Sequence, residues 1–173
     1  MYYDMLKARR SIRNFSDKEV EKENIDIILK SALLSPSSRS IRPWEFIAVT
    51  DSDMLSKLSE CKEHGSQFLS NAKLGIIVIA DPEKSDVWIE DTAIASIVIQ
   101  LSAQSLGLGS CWIQIRQRAH NEQKSAEAYI KELMQIPEKY CVESIIAIGY
   151  PDERKKPYDE SDLPYDKLHF EHF

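Results

Sequence analysis

Arg9-Arg10-Ser11-Ile12-Arg13-Asn14-Phe15 sets three guanidinium groups within five residues, with a hydroxyl among them and Ile12 and Phe15 as apolar anchors. Such a segment can surround a phosphate with bidentate, permanently charged donors. It can also be a solvated basic patch ending a short first helix, where cations complement the macrodipole's negative end. These residues alone leave both readings open. Further along, Ser35-Pro36-Ser37-Ser38-Arg39-Ser40-Ile41-Arg42-Pro43-Trp44-Glu45-Phe46 follows a helical pattern and leads into a strand. It gathers small hydroxyl residues and two more arginines between two prolines.

Two further segments complete an ordered set, Gly107-Leu108-Gly109-Ser110-Cys111-Trp112 and Ile148-Gly149-Tyr150-Pro151. Together the four resemble the nitroreductase family of flavin enzymes over nearly the whole chain. The resemblance implies a homodimer with flavin mononucleotide (FMN) at the subunit interface and exchanged C-terminal arms. It also implies roles by position. Arg9, Arg10 and Ser11 match residues that hold the phosphate and ribityl chain, and Arg13 matches a basic residue near N1 and O2 of the flavin ring. Pro36, Ser37, Ser38 and Ser40 match the loop contributed by the other subunit. Gly109 and Ser110 match a turn whose backbone faces the ring, and Lys155 or Lys156 falls near a second phosphate-binding cation. Two positions depart from the family pattern: Ser40 stands for its usual asparagine and Arg42 for its usual glutamine. Serine cannot offer a carbonyl and an amide together. Arg42 could pair with Glu45, replace the lost donor, or select an acidic substrate.

The 173 residues suit one domain, 1–173, with 151–173 as an extended arm. A hydrophobic fraction of 43% with 29% charged residues is ordinary globular composition. The net charge of -6 argues against nucleic acid as the main partner, which would call for a basic surface. No apolar run approaches a membrane span and the first residues do not read as a signal peptide, so a cytoplasmic protein is expected. Cys61, Cys111 and Cys141 are widely spaced and fit reduced, mostly buried thiols.

The periodicities predict an α+β fold: a mixed sheet of four or five strands wrapped by helices. Tyr3 to Arg9 makes a short helix. Ser16-Asp17-Lys18-Glu19 resembles a capping box, and from Ile25 onward Ile28, Leu29, Ala32 and Leu33 share one helical face until Pro36. Glu45 to Thr50 reads as a strand. Asp51-Ser52 caps a helix pointing Met54, Leu55 and Leu58 inward, and Cys61 to Asn71 is a loop or broken helix. Leu74 to Ala80 is apolar throughout, as a strand buried on both faces should be. Glu90 to Leu106 is a helix apolar nearly all round, so part of its cover is expected from a second subunit. Gly107 and Gly109 would end it as caps. Cys111 to Ile115 and Val142 to Ile148 are strands, with a helix over Glu122 to Met134 between them. Tyr158, Leu163, Tyr165, Leu168, Phe170 and Phe173 read as apolar anchors of an arm lying on a partner.

No phosphate-loop or dinucleotide fingerprint occurs, the four histidines make no metal set, and no hydrolase elbow is present. Flavin chemistry needs none of these, because the cofactor carries the hydride, and no side chain is assigned a catalytic role. The resemblance implies a ping-pong reaction, with hydride from NADH or NADPH to flavin N5 and then electrons to a nitroaromatic, quinone or similar planar acceptor. The competing readings are an FMN-binding carrier or sensor without efficient reductase activity, and a dehalogenating or flavin-destroying enzyme on the same fold.

Overall fold

The structure, a computed structural model, describes residues 1–173. After a short helix α1 (Tyr2–Ala8) the chain lies extended until α2 (Lys22–Leu33). Then come β1 (Trp44–Val49), α3 (Ser52–Ser59), β2 (Leu74–Ala80), the long α4 (Trp88–Ser105), β3 (Gly109–Gln114), α5 (Ala126–Met134) and β4 (Cys141–Gly149). The four strands form one sheet in the order β1-β2-β4-β3. The expected mixed sheet is antiparallel in all three of its strand pairings, and the one parallel pairing is an isolated bridge between Ser11 and Ser110.

β2 is buried at every position, which its unbroken apolar sequence requires of a strand with both faces covered. Alternation sends Ile77 and Ile79 to the side covered by α3 and α5, where they meet Leu55, Leu58, Ile130 and Ile145. Ile76 and Val78 point the other way, to Ile28, Ala32, Ile99 and Ala103 of α2 and α4.

α4 presses Ala95, Ile99 and Ala103 onto the sheet, but Ile94 and Ile97 stay 38% and 39% exposed. They lie at the spacing of one helical face and form an uncovered apolar strip, and Leu33, Leu34, Tyr2 and Tyr3, in or next to α2 and α1, are exposed as well. The apolar sequence of α4 therefore exceeds what one chain can cover.

Several local expectations shift. The helix after the Ser16 segment starts only at Lys22, with Glu21 as its uncapped boundary. Glu21 and Lys18 are instead drawn to Tyr150, whose hydroxyl donates to Glu21 at 2.7 Å while the Lys18 ammonium sits 3.7 Å from the ring centre. This clamp holds Val20 buried and keeps the segment out of the helix. α5 starts at Ala126, where the Ser125 hydroxyl caps it at 3.0 Å, because Asn121 folds residues 121–124 into a turn. Asp51 caps α3 as expected. Gly107, at φ +75°, ends the α4 region as expected, whereas Gly109 is already the first residue of β3. Cys61 and Cys111 are buried and Cys141 is partly covered, all as free thiols. Beyond Pro151 the chain makes only two short turns, and Tyr165, Leu168, Phe170 and Phe173 stand exposed. No helix is long and apolar enough to cross a membrane.

Candidate functional site

Gly109 and Gly149 face each other across β3 and β4, and their bare backbones form a floor. Ile12 and Phe15 lie directly on it. A Cβ on Gly109 would come within 2.9 Å of three Ile12 atoms, and one on Gly149 within 3.0 Å of the Phe15 ring. Glycine is required here because the Ile12 and Phe15 side chains press directly on the strand backbone. The Ile12 amide donates to the Ser110 carbonyl at 3.0 Å, Ser16 to Tyr150 at 2.9 Å, and Asp152 returns a bond to the Asn14 carbonyl at 2.9 Å. Arg9–Phe15 is thereby laced along the sheet edge.

The same lacing gathers cations. Lys155 Nζ donates to the Ser11 carbonyl at 2.6 Å, and the Arg10 guanidinium donates to the Lys156 carbonyl while lying 4.6 Å from the Tyr158 ring centre. Arg13 stands 5.6 Å from the centre of the Phe68 ring. Lys155 thus brings its ammonium to the arginine segment, whereas Lys156 brings only its backbone oxygen. Beside them opens a cavity of about 290 Å³, lined by Arg10, Gly107, Gly109, Arg154 and Lys155 among others. Arg9, Arg10 and Arg13 have no carboxylate partner. The one acidic side chain close by, Glu153, accepts from the Arg13 and Asn14 amides at 2.6 and 3.2 Å and pairs with Lys155 at 3.4 Å.

Glu153 escaped sequence analysis, since nothing in Tyr150-Pro151-Asp152-Glu153 announces that its carboxylate will fasten the arginine segment. The Arg13 amide foremost, then that of Asn14, holds its carboxyl below the ordinary carboxylate value of 4.5. The ionised form is therefore favoured by folding, and its stabilisation is present above the unfolded value and lost as pH falls through the folded one. In Glu153→Gln we expect the stability difference from the parent to shrink between about pH 5 and pH 3, followed by thermal melts across that range. Cys111 lies behind the same segment, where burial pushes its thiol up despite the opposing charge of Arg13. It stays a neutral core group.

The second stretch is built differently. Ser38–Ser40 form one tight turn, with Arg39, Ser40 and Arg42 at φ of 52°, 54° and 53°. Asp91, 2% exposed in the first turns of α4, accepts from the Ser38 amide at 2.8 Å and from the Ser85 hydroxyl at 3.2 Å. Asp91 is thus the anchor of this loop rather than only a helix-terminal charge. The Ser37 hydroxyl accepts from the Arg42 amide at 2.8 Å, and Arg39 pairs with Asp86. Pro36 and Ser40 are exposed, Ser37 and Ser38 partly so. The possible Arg42–Glu45 pair does not form, because Glu45 accepts a hydrogen bond from the Tyr140 hydroxyl.

The structure assembles each stretch but keeps them apart. The arginine segment with Gly109, Ser110 and Lys155 lies at the Gly109–Gly149 end of the sheet, on the β3 edge. The serine loop enters β1 at Trp44, which pairs with Ala80 at the opposite end and on the opposite edge. The loop is pinned at Asp91 near the start of α4 and the cation cavity reaches Gln104 near its other end, so the two are separated by about 20 Å of helix at 1.5 Å per residue.

The nitroreductase family model matches residues 6–62 and 60–150. A protein of Archaeoglobus fulgidus, provisionally named an NADH dehydrogenase/NAD(P)H nitroreductase, is 41% identical over 172 residues, with 96% of this chain and 95% of that protein covered. The structure described as an FMN-dependent nitroreductase from Clostridium difficile R20291 superposes with a TM-score of 0.98 at 56% identity, covering 99% of each chain. Iodotyrosine deiodinase 1 of Rattus norvegicus is 35% identical over 102 residues, which is 57% of this chain and 36% of that protein. The matched residues run from Leu6 in the first helix to Tyr150 just past β4, through both stretches, the two facing glycines and every strand, and the chain belongs to the nitroreductase family.

Proposed function

We propose that this protein is an FMN-dependent oxidoreductase, drawing electrons from NADH or NADPH and passing them to a planar acceptor such as a nitroaromatic or a quinone. The observation that carries the reading is an arginine-rich segment, none of whose three guanidinium groups has a carboxylate partner, fastened by Lys155 on a glycine floor beside a cavity lined by Arg10, Arg154 and Lys155. Clustered cations repel one another, and an anionic ligand relieves that repulsion. The donors fit a phosphate monoester, since guanidinium forks match its oxygens two at a time.

Arg9, Arg10, Ser11 and Lys155 hold the phosphate and ribityl end, with Lys156 in a backbone role. Arg13 places positive charge beside the pyrimidine edge of the ring, and the backbone of Gly109 and Ser110 lies against it. Pro36, Ser37, Ser38 and Ser40 complete the site from the partner copy, because one chain keeps the two stretches at opposite ends of α4. The uncovered strip of Ile94 and Ile97 supplies the apolar surface for that homodimer, and the exposed anchors of residues 151–173 supply an arm to lie across it. Residues 1–173 act as one domain in this assembly, which works in the cytoplasm. When bound, FMN supplies the two-electron chemistry, with donor and acceptor alternating at one face in a ping-pong cycle. The protein's own part is to fix the phosphate, set charge beside the ring and leave an open face for flat molecules.

The test is an anaerobic visible spectrum of the purified protein before and after NADH and NADPH. Rapid bleaching of the oxidised flavin bands by either donor supports the reductase and identifies the donor. Bands that persist with both leave a carrier or sensor. A colourless protein that binds no FMN overturns the site.

A further inference from the structure

Arg42 is the charge in the serine loop that nothing in the structure employs. Arg39 is committed to Asp86, and Glu45 is taken by the Tyr140 hydroxyl. The Arg42 side chain is exposed and forms no ion pair. Its backbone is nevertheless closely constrained. Of the six non-glycine residues at positive φ, three fall within the four positions 39 to 42, and the others are scattered singly. Arg42 also precedes Pro43, whose ring further narrows the conformations open to it. Non-glycine residues held in this region are strained and persist where surrounding contacts enforce them, often at ligand clamps. The enforcing contacts here are the Ser37 hydroxyl on the Arg42 amide and Asp91 on the Ser38 amide.

We propose that Arg42 is a specificity-determining residue that favours acceptors carrying a carboxylate on their planar ring. This rests on the reading of the serine loop as part of the flavin site. Arg42 lies two residues from Ser40, which the proposed function sets against the ring, and on that placement its guanidinium serves a molecule lying over the ring. Its guanidinium would take a carboxylate in a two-point, charge-assisted contact. The nicotinamide donor also carries anionic phosphates, so the experiment has to separate the two sources of negative charge.

The measurement compares FMN-loaded parent, Arg42→Gln and Arg42→Lys with 4-nitrobenzoate and 4-nitrobenzyl alcohol, and with NADH and NADPH varied in turn. The ratio of kcat/KM for nitrobenzoate over the alcohol is expected to fall at least about tenfold in Arg42→Gln and to recover partly in Arg42→Lys. Calorimetric titration of benzoate into the oxidised holoenzyme should weaken by a similar factor, independently of turnover. An unchanged ratio with unchanged benzoate binding overturns the assignment and leaves the reductase intact. A rise only in the KM of the donor also overturns it, assigning Arg42 to the dinucleotide phosphates. Loss of FMN from Arg42→Gln overturns it in favour of a cofactor contact. Parent protein inert toward every donor and acceptor overturns the reductase reading, while benzoate binding still decides the role of Arg42.

Discussion

Gly109→Ala is expected to give a folded but nearly flavin-free protein. The new methyl would sit 2.9 Å from Ile12 Cβ, Cγ1 and Cγ2 at once. Ile12 cannot turn aside, because it is branched at Cβ and its amide is bonded to Ser110. The strain must therefore be relieved by lifting the arginine segment off the sheet edge. Overpacking of this kind costs roughly 1–3 kcal/mol, or about 2–12 °C in Tm for a chain of this size. The larger effect falls on the cofactor, since Arg10 and Arg13 flank the displaced residue and a shift of about 1 Å breaks two-point contacts to a phosphate. Differential scanning fluorimetry and the flavin-to-protein absorbance ratio of the purified variant check both parts. Gly107→Ala is the comparison: no atom lies within 4 Å of its added methyl, so only the strain of φ +75° is incurred and flavin content should hold.

The paired variant Arg9→Gln/Arg10→Gln should raise the FMN dissociation constant by at least about 100-fold. Each charge-assisted contact to phosphate is worth about 1.5–3 kcal/mol, and tenfold in affinity corresponds to about 1.4 kcal/mol. Glutamine keeps length and polarity but removes the charge and the fork. The fold should be little affected, because neither arginine is in an ion pair and Arg10 gives up only its bonds to Lys156 and Tyr158. Quenching of FMN fluorescence on titration into the apoprotein measures the constant. Raising the salt concentration should weaken the parent's binding more steeply than the variant's, since fewer charges remain to be screened.

Sequence made the architecture legible wherever one physical pattern dominated. An unbroken apolar run gave the central strand β2, Asp51 marked the start of α3, and the apolar pattern from Glu90 to Leu106 gave the long helix α4. The segments of the proposed site stood out in the sequence by their chemistry, in the arginine cluster and the hydroxyl-rich loop. What stayed hidden depended on long-range contacts with no local signature. Asp91 reads as a common acidic residue in the first turns of a helix until the fold brings the Ser38 amide to it. Glu153 reads as one more charge in a charged tail until Arg13 and Asn14 present their amides. The Ser16 segment shows the reverse case, in which a capping pattern was overridden because Tyr150 claims Glu21 and Lys18. The strictly antiparallel pairing was equally out of reach, since strand order follows from crossovers rather than from any strand's own residues.

The lacing of Arg9–Phe15 has a consequence for the order in which the molecule can form. Its fastenings join residues 140 and 144 positions apart, Arg13 with Glu153 and Ser11 with Lys155. Contacts of such separation carry the greatest loop-closure cost and form late. The segment is synthesised about a hundred or more residues ahead of the glycine floor beneath it and the carboxylate that fastens it. The cationic cradle therefore cannot be complete until the chain has been synthesised through Lys155.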